Sequence, residues 1–202
     1  MIYGILKNST NTGLDSEIAS VFIVPLRVTS NQPDYVQDAI NLKRKASSQN
    51  VQRWEIEASI AQSAGDPTML VHGVLNGHHK IFPIRMPQVA ILKTTTNTVT
   101  LANDIVAGCT TLNIIGAASL VAGEFFNLGS DPKVYLVTDG GSGGTGVMFE
   151  PRLRKNAIAG TAFKLGAVTM QARYDTNSQI GILYNDGILS EPGSITFVED
   201  LA

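Results

Sequence analysis

The stretch from Asp139 to Gly146 carries two glycine patterns that do chemistry in other proteins. Gly141, Gly143 and Gly146 satisfy G-x-G-x-x-G, which lets backbone amides approach a pyrophosphate when a strand precedes it and a helix follows. The preceding KVYLVT is strand-like, but VMFEPRL follows, an extended run containing Pro151. No acidic residue lies between Arg152 and Arg173 to take a ribose hydroxyl. Gly140, Ser142 and Gly144 also fit G-x-S-x-G, the nucleophile elbow, which again needs a strand-to-helix turn and a later histidine base. His72, His78 and His79 all precede Ser142. The segment therefore predicts a hairpin loop, with no cofactor implied.

The other reactive side chains are equally short of partners. His72, His78 and His79 have only Asp66 nearby as a further ligand, fewer than the three or four that zinc needs, so no metal is expected. Cys109, the single cysteine, lies between Gly108 and Thr110 and reads as a small buried residue; it excludes an intrachain disulfide. Glu55 and Glu57 share one face of a strand, which could serve a glycan hydrolase with paired carboxylates, but exposed pairs of this kind are common. Lys43, Arg44 and Lys45, with Arg53 across a proposed turn, are the one concentration of positive charge. Together with Glu55 and Glu57 they form either a solvated hairpin or an electrostatic seam between subunits, which fixes register more than it adds affinity.

The elements that must position these residues are mostly strands. In QRWEIEASIA, Trp54, Ile56, Ala58 and Ile60 alternate with Arg53, Glu55, Glu57 and Ser59, predicting one core face and one wet face. The polar cluster Ser47 to Asn50 predicts a turn joining this strand to a run ending near Lys45, with a short helix over Asp34 to Leu42 as the alternative. Asp66, Pro67 and the apolar stripe Met69, Leu70, Val74 and Leu75 predict a short helix ending at Gly77. KIFPIRMP, with Pro83 and Pro87, reads as a sheet edge. From about Ala90 short apolar runs bounded by Gly, Asp, Pro and Asn predict a small β-barrel, and SITFVEDLA closes the chain as a strand.

Composition bounds the function. The 202 residues are 44% hydrophobic and only 16% charged, too apolar for disorder and lightly charged for a free monomer, so surface committed to partners is expected. A formal charge of -2 offers no excess for a phosphate backbone, which argues against nucleic acid. Neither a signal peptide nor a membrane-spanning run of about 20 apolar residues is found, so no membrane partner is expected.

QRWEIEASI followed by DPTMLVHGVLNGHHKIFPIRMPQ resembles the Trp-containing strand, short helix, glycine and extended F-x-x-x-x-P run of bacteriophage distal tail proteins and baseplate hub adaptors. VAGEFFNLGSDPKVYLVTDGG and VMFEPRLRKNAIAGTAF resemble the small barrel that some of these proteins carry, and SITFVEDLA their final strand. The resemblance implies a mainly β fold: a β-sandwich or split-barrel domain with one short helix, built from residues 1-90 and about 185-202, plus an inserted OB-like β-barrel over about 91-184. It implies a structural, non-enzymatic virion protein, assembled in the host cytoplasm as a homo-oligomeric ring, a hexamer in that family. The ring would join the tail tube protein to baseplate hub or wedge proteins, or fibres. Trp54 would be a core anchor and the hairpin from Leu42 to Glu57 a ring contact. A carbohydrate-binding module is the alternative reading, because small barrels also hold sugars on loop aromatics.

Overall fold

The computed structural model describes residues 22–38, 44–48, 51–63, 80–86, 99–116, 119–142, 146–165, 168–175, 183–185, 189–191 and 194–201, and every regular element among them is a β-strand. In chain order β1 is Phe22–Asn31, β2 Asp34–Asp38, β3 Arg44–Ser48, β4 Arg53–Ser63 and β5 Phe82–Arg85. Six shorter strands follow: β6 Thr100–Leu101, β7 Thr111–Ile115, β8 Phe125–Leu128, β9 Tyr135–Asp139, β10 Gly146–Glu150 and β11 Phe163–Lys164. The chain ends with β12 Thr169–Tyr174, β13 Leu183–Asn185, β14 Leu189–Glu191 and β15 Ser194–Glu199.

The alternation in β4 makes it the axis of the first sheet. Trp54, Ile56 and Ala58 are buried, while Arg53 and Glu57 are exposed. One edge of β4 pairs antiparallel with β1, with Asn31 opposite Arg53 and Leu26 opposite Ala58. The other edge pairs with β15, and β14 continues beside β4 at Ser63. β12 lies against β15 and carries β5 on its far side, so β5 is the edge strand its prolines predict, with Pro83 opposite Gln171. The core face gathers Trp54 and Ile56, Phe82 and Ile84, Met170 and Phe197. Phe82, Tyr174 and Phe197 form an aromatic cluster with centroids 4.9 to 5.9 Å apart. Each such side chain, taken fully from water, contributes on the order of 1.5–3 kcal/mol.

The second sheet is a small barrel with the order β11, β8, β9, β10, β7, β6. Its two ends meet: Thr100 bridges Ala162, the Leu101 amide donates to the Thr161 carbonyl at 2.9 Å, and the Phe163 amide donates to the Val99 carbonyl at 2.9 Å. Closure leaves no long strand edge open, so five-residue strands suffice. β7 and β10 alternate outward and inward along their length, as a barrel wall requires. Inside, Phe126 packs on Tyr135, Phe149 and Phe163 with centroids 5.3 to 5.7 Å apart.

Three sequence expectations meet the structure differently. The strand near Lys45 pairs with β2 and not with β4: Tyr35 faces Ser47 and Val36 faces Ala46. The reason is that both edges of β4 are taken, one by β1 and the other by β15. The helical alternative over Asp34 to Leu42 fails for 34–38, where Tyr35 and Val36 take the extended conformation that such side chains favour. By strand pairing, the chain has rejoined the first sheet at β12, before the boundary near 184 that the resemblance implies. The helix expected after Asp66, and His72, His78 and His79, lie outside the described residues.

Candidate functional site

The two sheets meet at a buried polar seam. Glu199 stands in phase with Ile195 and Phe197 on β15, so strand geometry carries a carboxylate onto the core face. Lys133 reaches it from the turn between β8 and β9, and the Lys133 and Glu199 side chains are 4% and 0% exposed respectively. The Lys133 ammonium donates to Glu199 Oε2, to the Gln52 carbonyl at 2.9 Å and to Gln52 Oε1 at 2.7 Å, which uses all three of its protons. The Glu199 carboxylate also accepts from the Trp54 amide at 3.0 Å and the Val134 amide at 3.3 Å. Burial lowers the Lys133 pKa below that of a free lysine, and the Glu199 charge opposes that shift.

Trp54 spans the same seam. Its indole Nε1–H donates to the Val134 carbonyl at 2.8 Å, and its ring stands edge-on to Phe125 of β8 at 5.4 Å. Removing the N–H while keeping an apolar ring leaves the Val134 carbonyl short of a buried donor. Trp54→Phe is therefore expected to cost about 1–3 kcal/mol in urea unfolding followed by circular dichroism. An unchanged midpoint would show that water replaces the lost donor.

Around this pair the polar groups are linked further. Gln52 Nε2 donates to Ser30 Oγ of β1 at 3.1 Å, and Asn127 Nδ2 of β8 donates to the Thr169 carbonyl of β12 at 3.2 Å. The Tyr135 hydroxyl donates to Asp131 Oδ2 at 2.8 Å and accepts from the Arg154 amide at 3.1 Å. Arg154 Nη1 donates to the Leu201 carbonyl at 2.8 Å, tying the barrel to the end of the described chain. A cleft of about 530 Å³ opens over the seam, lined by Gln52, Lys133, Arg152, Arg154, Pro151 and Leu201 among others. The Glu150–Pro151 peptide on its wall is cis.

The residues singled out from sequence fall elsewhere. Arg53 and Glu55 form an ion pair at 3.1 Å on the wet face of β4, and Asn31 Nδ2 also donates to Glu55 Oε1 at 2.7 Å. Glu57 accepts from Ser194 Oγ at 3.2 Å. Glu55 and Glu57 are thus each engaged by their own chain. Arg44 and Lys45 sit on β3, in register with Asp38 and Gln37, and so belong to a different element from Arg53; Lys43 lies outside the described residues.

The glycine segment connects β9 to β10, two antiparallel strands, and the element after it is a strand. This denies both the pyrophosphate loop and the nucleophile elbow their helix. Gly140 has a steric reason: a Cβ there would lie 2.4 Å from the Leu120 carbonyl oxygen. Cys109 is half-buried rather than fully buried, its carbonyl accepting from the Leu153 amide at 2.8 Å. Among the described residues no three of His, Cys, Asp and Glu gather as metal ligands, and no helix is long and apolar enough to cross a membrane. Trp54 and every aromatic residue whose side chain is described are buried, so none forms an exposed platform for a sugar ring.

The seam itself was not foreseen. Glu199 was detectable, because SITFVE places it on the face of Ile195 and Phe197. Lys133 carried no such sign, since its neighbour across space is 66 positions away. No protein-family model matches the sequence, and no curated protein is significantly similar to it.

Proposed function

We propose that the chain is a structural component of a tailed-phage tail tip or baseplate, forming a ring, hexameric by resemblance, that joins the tail tube to the hub or fibres. The observation that carries the reading is the β2–β3 hairpin. β1 and β4 are adjacent antiparallel strands, in register to Asn31 and Arg53, yet the chain between them grows into a separate, two-stranded sheet. That sheet pairs with no other strand among the described residues. A two-stranded hairpin alone is marginal in water, so an arm of this kind gains its stability from something it docks against. A copy of the same chain is the partner that a ring supplies, through a heterologous contact that closes after a full turn.

The rest of the molecule suits a mechanical role. The seam ties a closed barrel to the ring-forming sheet through the Lys133–Glu199 ion pair and the hydrogen bond that Asn127 of β8 donates to Thr169 of β12, a joint able to pass load between neighbours. Support for a non-catalytic role comes from the carboxylates Glu55 and Glu57, both engaged by their own chain on an open sheet face.

Light scattering coupled to size exclusion, with negative-stain imaging, tests the proposal. The full chain is expected to form a ring of defined symmetry. Replacing residues 34–48 by a short Gly-Ser linker, which keeps Gln52 and β4 intact, is expected to leave a folded monomer. A wild-type chain that stays monomeric at high concentration, or a ring that persists without the arm, sinks the reading.

A further inference from the structure

The cleft over the seam has a charge pattern that the seam does not use up. Among the described residues its lining holds three cations, Lys133, Arg152 and Arg154, and no carboxylate. Lys133 is spent, because its three protons go to Gln52 and Glu199. Arg154 is only partly engaged: Nη1 is bound to the Leu201 carbonyl, Nε stands 3.8 Å from Asp131, and its side chain keeps 30% of its surface exposed. Arg152 is exposed and forms no ion pair with the described residues. The two guanidinium groups come from one alternating stretch of the lining, in which Pro151 and Leu153 are buried while Arg152 is exposed and Arg154 partly so.

Apart from Gln52, whose side chain is bound to Lys133 and Ser30, the rest of the described wall is apolar. Pro151 and Leu201 line it, and Val51 lies at the cleft with 59% of its surface in water. Two guanidinium forks beside exposed aliphatic surface suit carboxylates carried on an apolar backbone, since each fork can take a carboxylate through two parallel hydrogen bonds. A phosphodiester chain would use the cations and leave the aliphatic wall uncovered, in a protein with net charge of -2. A volume of about 530 Å³ matches a few side chains and not a whole domain.

We propose that this cleft is a docking site for an extended acidic segment of a partner protein, with alternate carboxylates engaging Arg152 and Arg154 and the apolar remainder of the segment covering Val51. In an extended peptide alternate residues point the same way and lie roughly 6–7 Å apart, so a Glu-x-Glu pattern presents both charges to one wall. The proposal does not depend on ring formation.

The test uses the full chain and a fluorescein-labelled peptide of sequence Leu-Glu-Leu-Glu-Leu, read by anisotropy at physiological salt. Saturable binding is expected, weakened at least tenfold when both glutamates of the peptide are replaced by glutamine. Arg152→Ala, at an exposed position with no ion pair to the described residues, is expected to lower affinity at least tenfold, and Arg53→Ala, a cation outside the cleft, to leave it unchanged. Absence of saturable binding, equal binding of the glutamine peptide, an unaffected Arg152→Ala variant, or displacement by inorganic phosphate at the peptide's own concentration each overturns the proposal. The last outcome would mark a simple anion site.

Discussion

A Lys133→Met variant is expected to unfold about 3–5 kcal/mol more easily than the parent, as measured by urea denaturation at neutral pH. Methionine fills much of the same space, so the loss does not come from a cavity. It comes from Glu199, whose side chain is wholly buried and would keep its charge with no cation beside it. Gln52 would lose its Oε1 partner as well, loosening the link to Ser30 on β1. Adding Glu199→Gln to the variant removes the stranded charge while keeping one oxygen that can accept from the Trp54 or Val134 amide. The double variant is therefore expected to recover about half of the loss, and the difference measures the ion pair apart from its hydrogen bonds. Because the barrel and the first sheet have separate cores, the single variant is also expected to melt in two steps, with probes of the two halves no longer coinciding. A Lys133→Met protein as stable as the parent would mean that the seam is wet and carries no load.

How much of this could be read from sequence depends on whether the signal was local. The Trp54, Ile56, Ala58 alternation was legible because a period of two is written into consecutive residues, and the same holds for the short barrel strands with their turn residues. Pairing partners were not legible. β3 looked like the mate of β4 because it is next in sequence, but β4 was already claimed on both edges by strands 22–31 and 194–199. The return of β12 to the first sheet was hidden for the same reason, since Thr169–Tyr174 alternates as it would in either sheet. The cleft depends on Gln52, Lys133, Arg154 and Leu201 arriving from four distant segments, and no spacing rule joins them. The charged cluster Lys43, Arg44, Lys45, Arg53 drew attention as a sequence run, but the structure distributes its described members between the arm and the sheet.

Stability is expected to fall above pH 10, by about 2 kcal/mol between pH 10 and pH 11 and more steeply beyond, through two tyrosines. Burial raises the pKa of Tyr135 and of Tyr174 far above the ordinary 10.0, Tyr135 inside the barrel and Tyr174 in the aromatic cluster of the first sheet. Asp131 adds to the shift at Tyr135, while the Arg154 amide works against it. With the folded pKa raised, stability from these groups is intact below pH 10. It is lost as pH rises, because the unfolded chain ionises there and the folded one does not. Each tyrosine contributes a slope of roughly 1.4 kcal/mol per pH unit. Lys133 acts in the opposite sense: its folded pKa is lowered, so its contribution to stability grows as pH approaches 10.5 and then levels off. Above that point nothing offsets the tyrosines. Urea midpoints taken at pH 9, 10 and 11 should show the decline, and Tyr174→Phe should halve its slope, since that phenol can no longer ionise in the unfolded chain. Tyrosinate absorbance gives an independent reading, because two of the five tyrosines should ionise only as the protein unfolds. If all five titrate near pH 10 while the fold persists, both phenols are reached by water and the buried cores at Tyr135 and Tyr174 are looser than their packing implies.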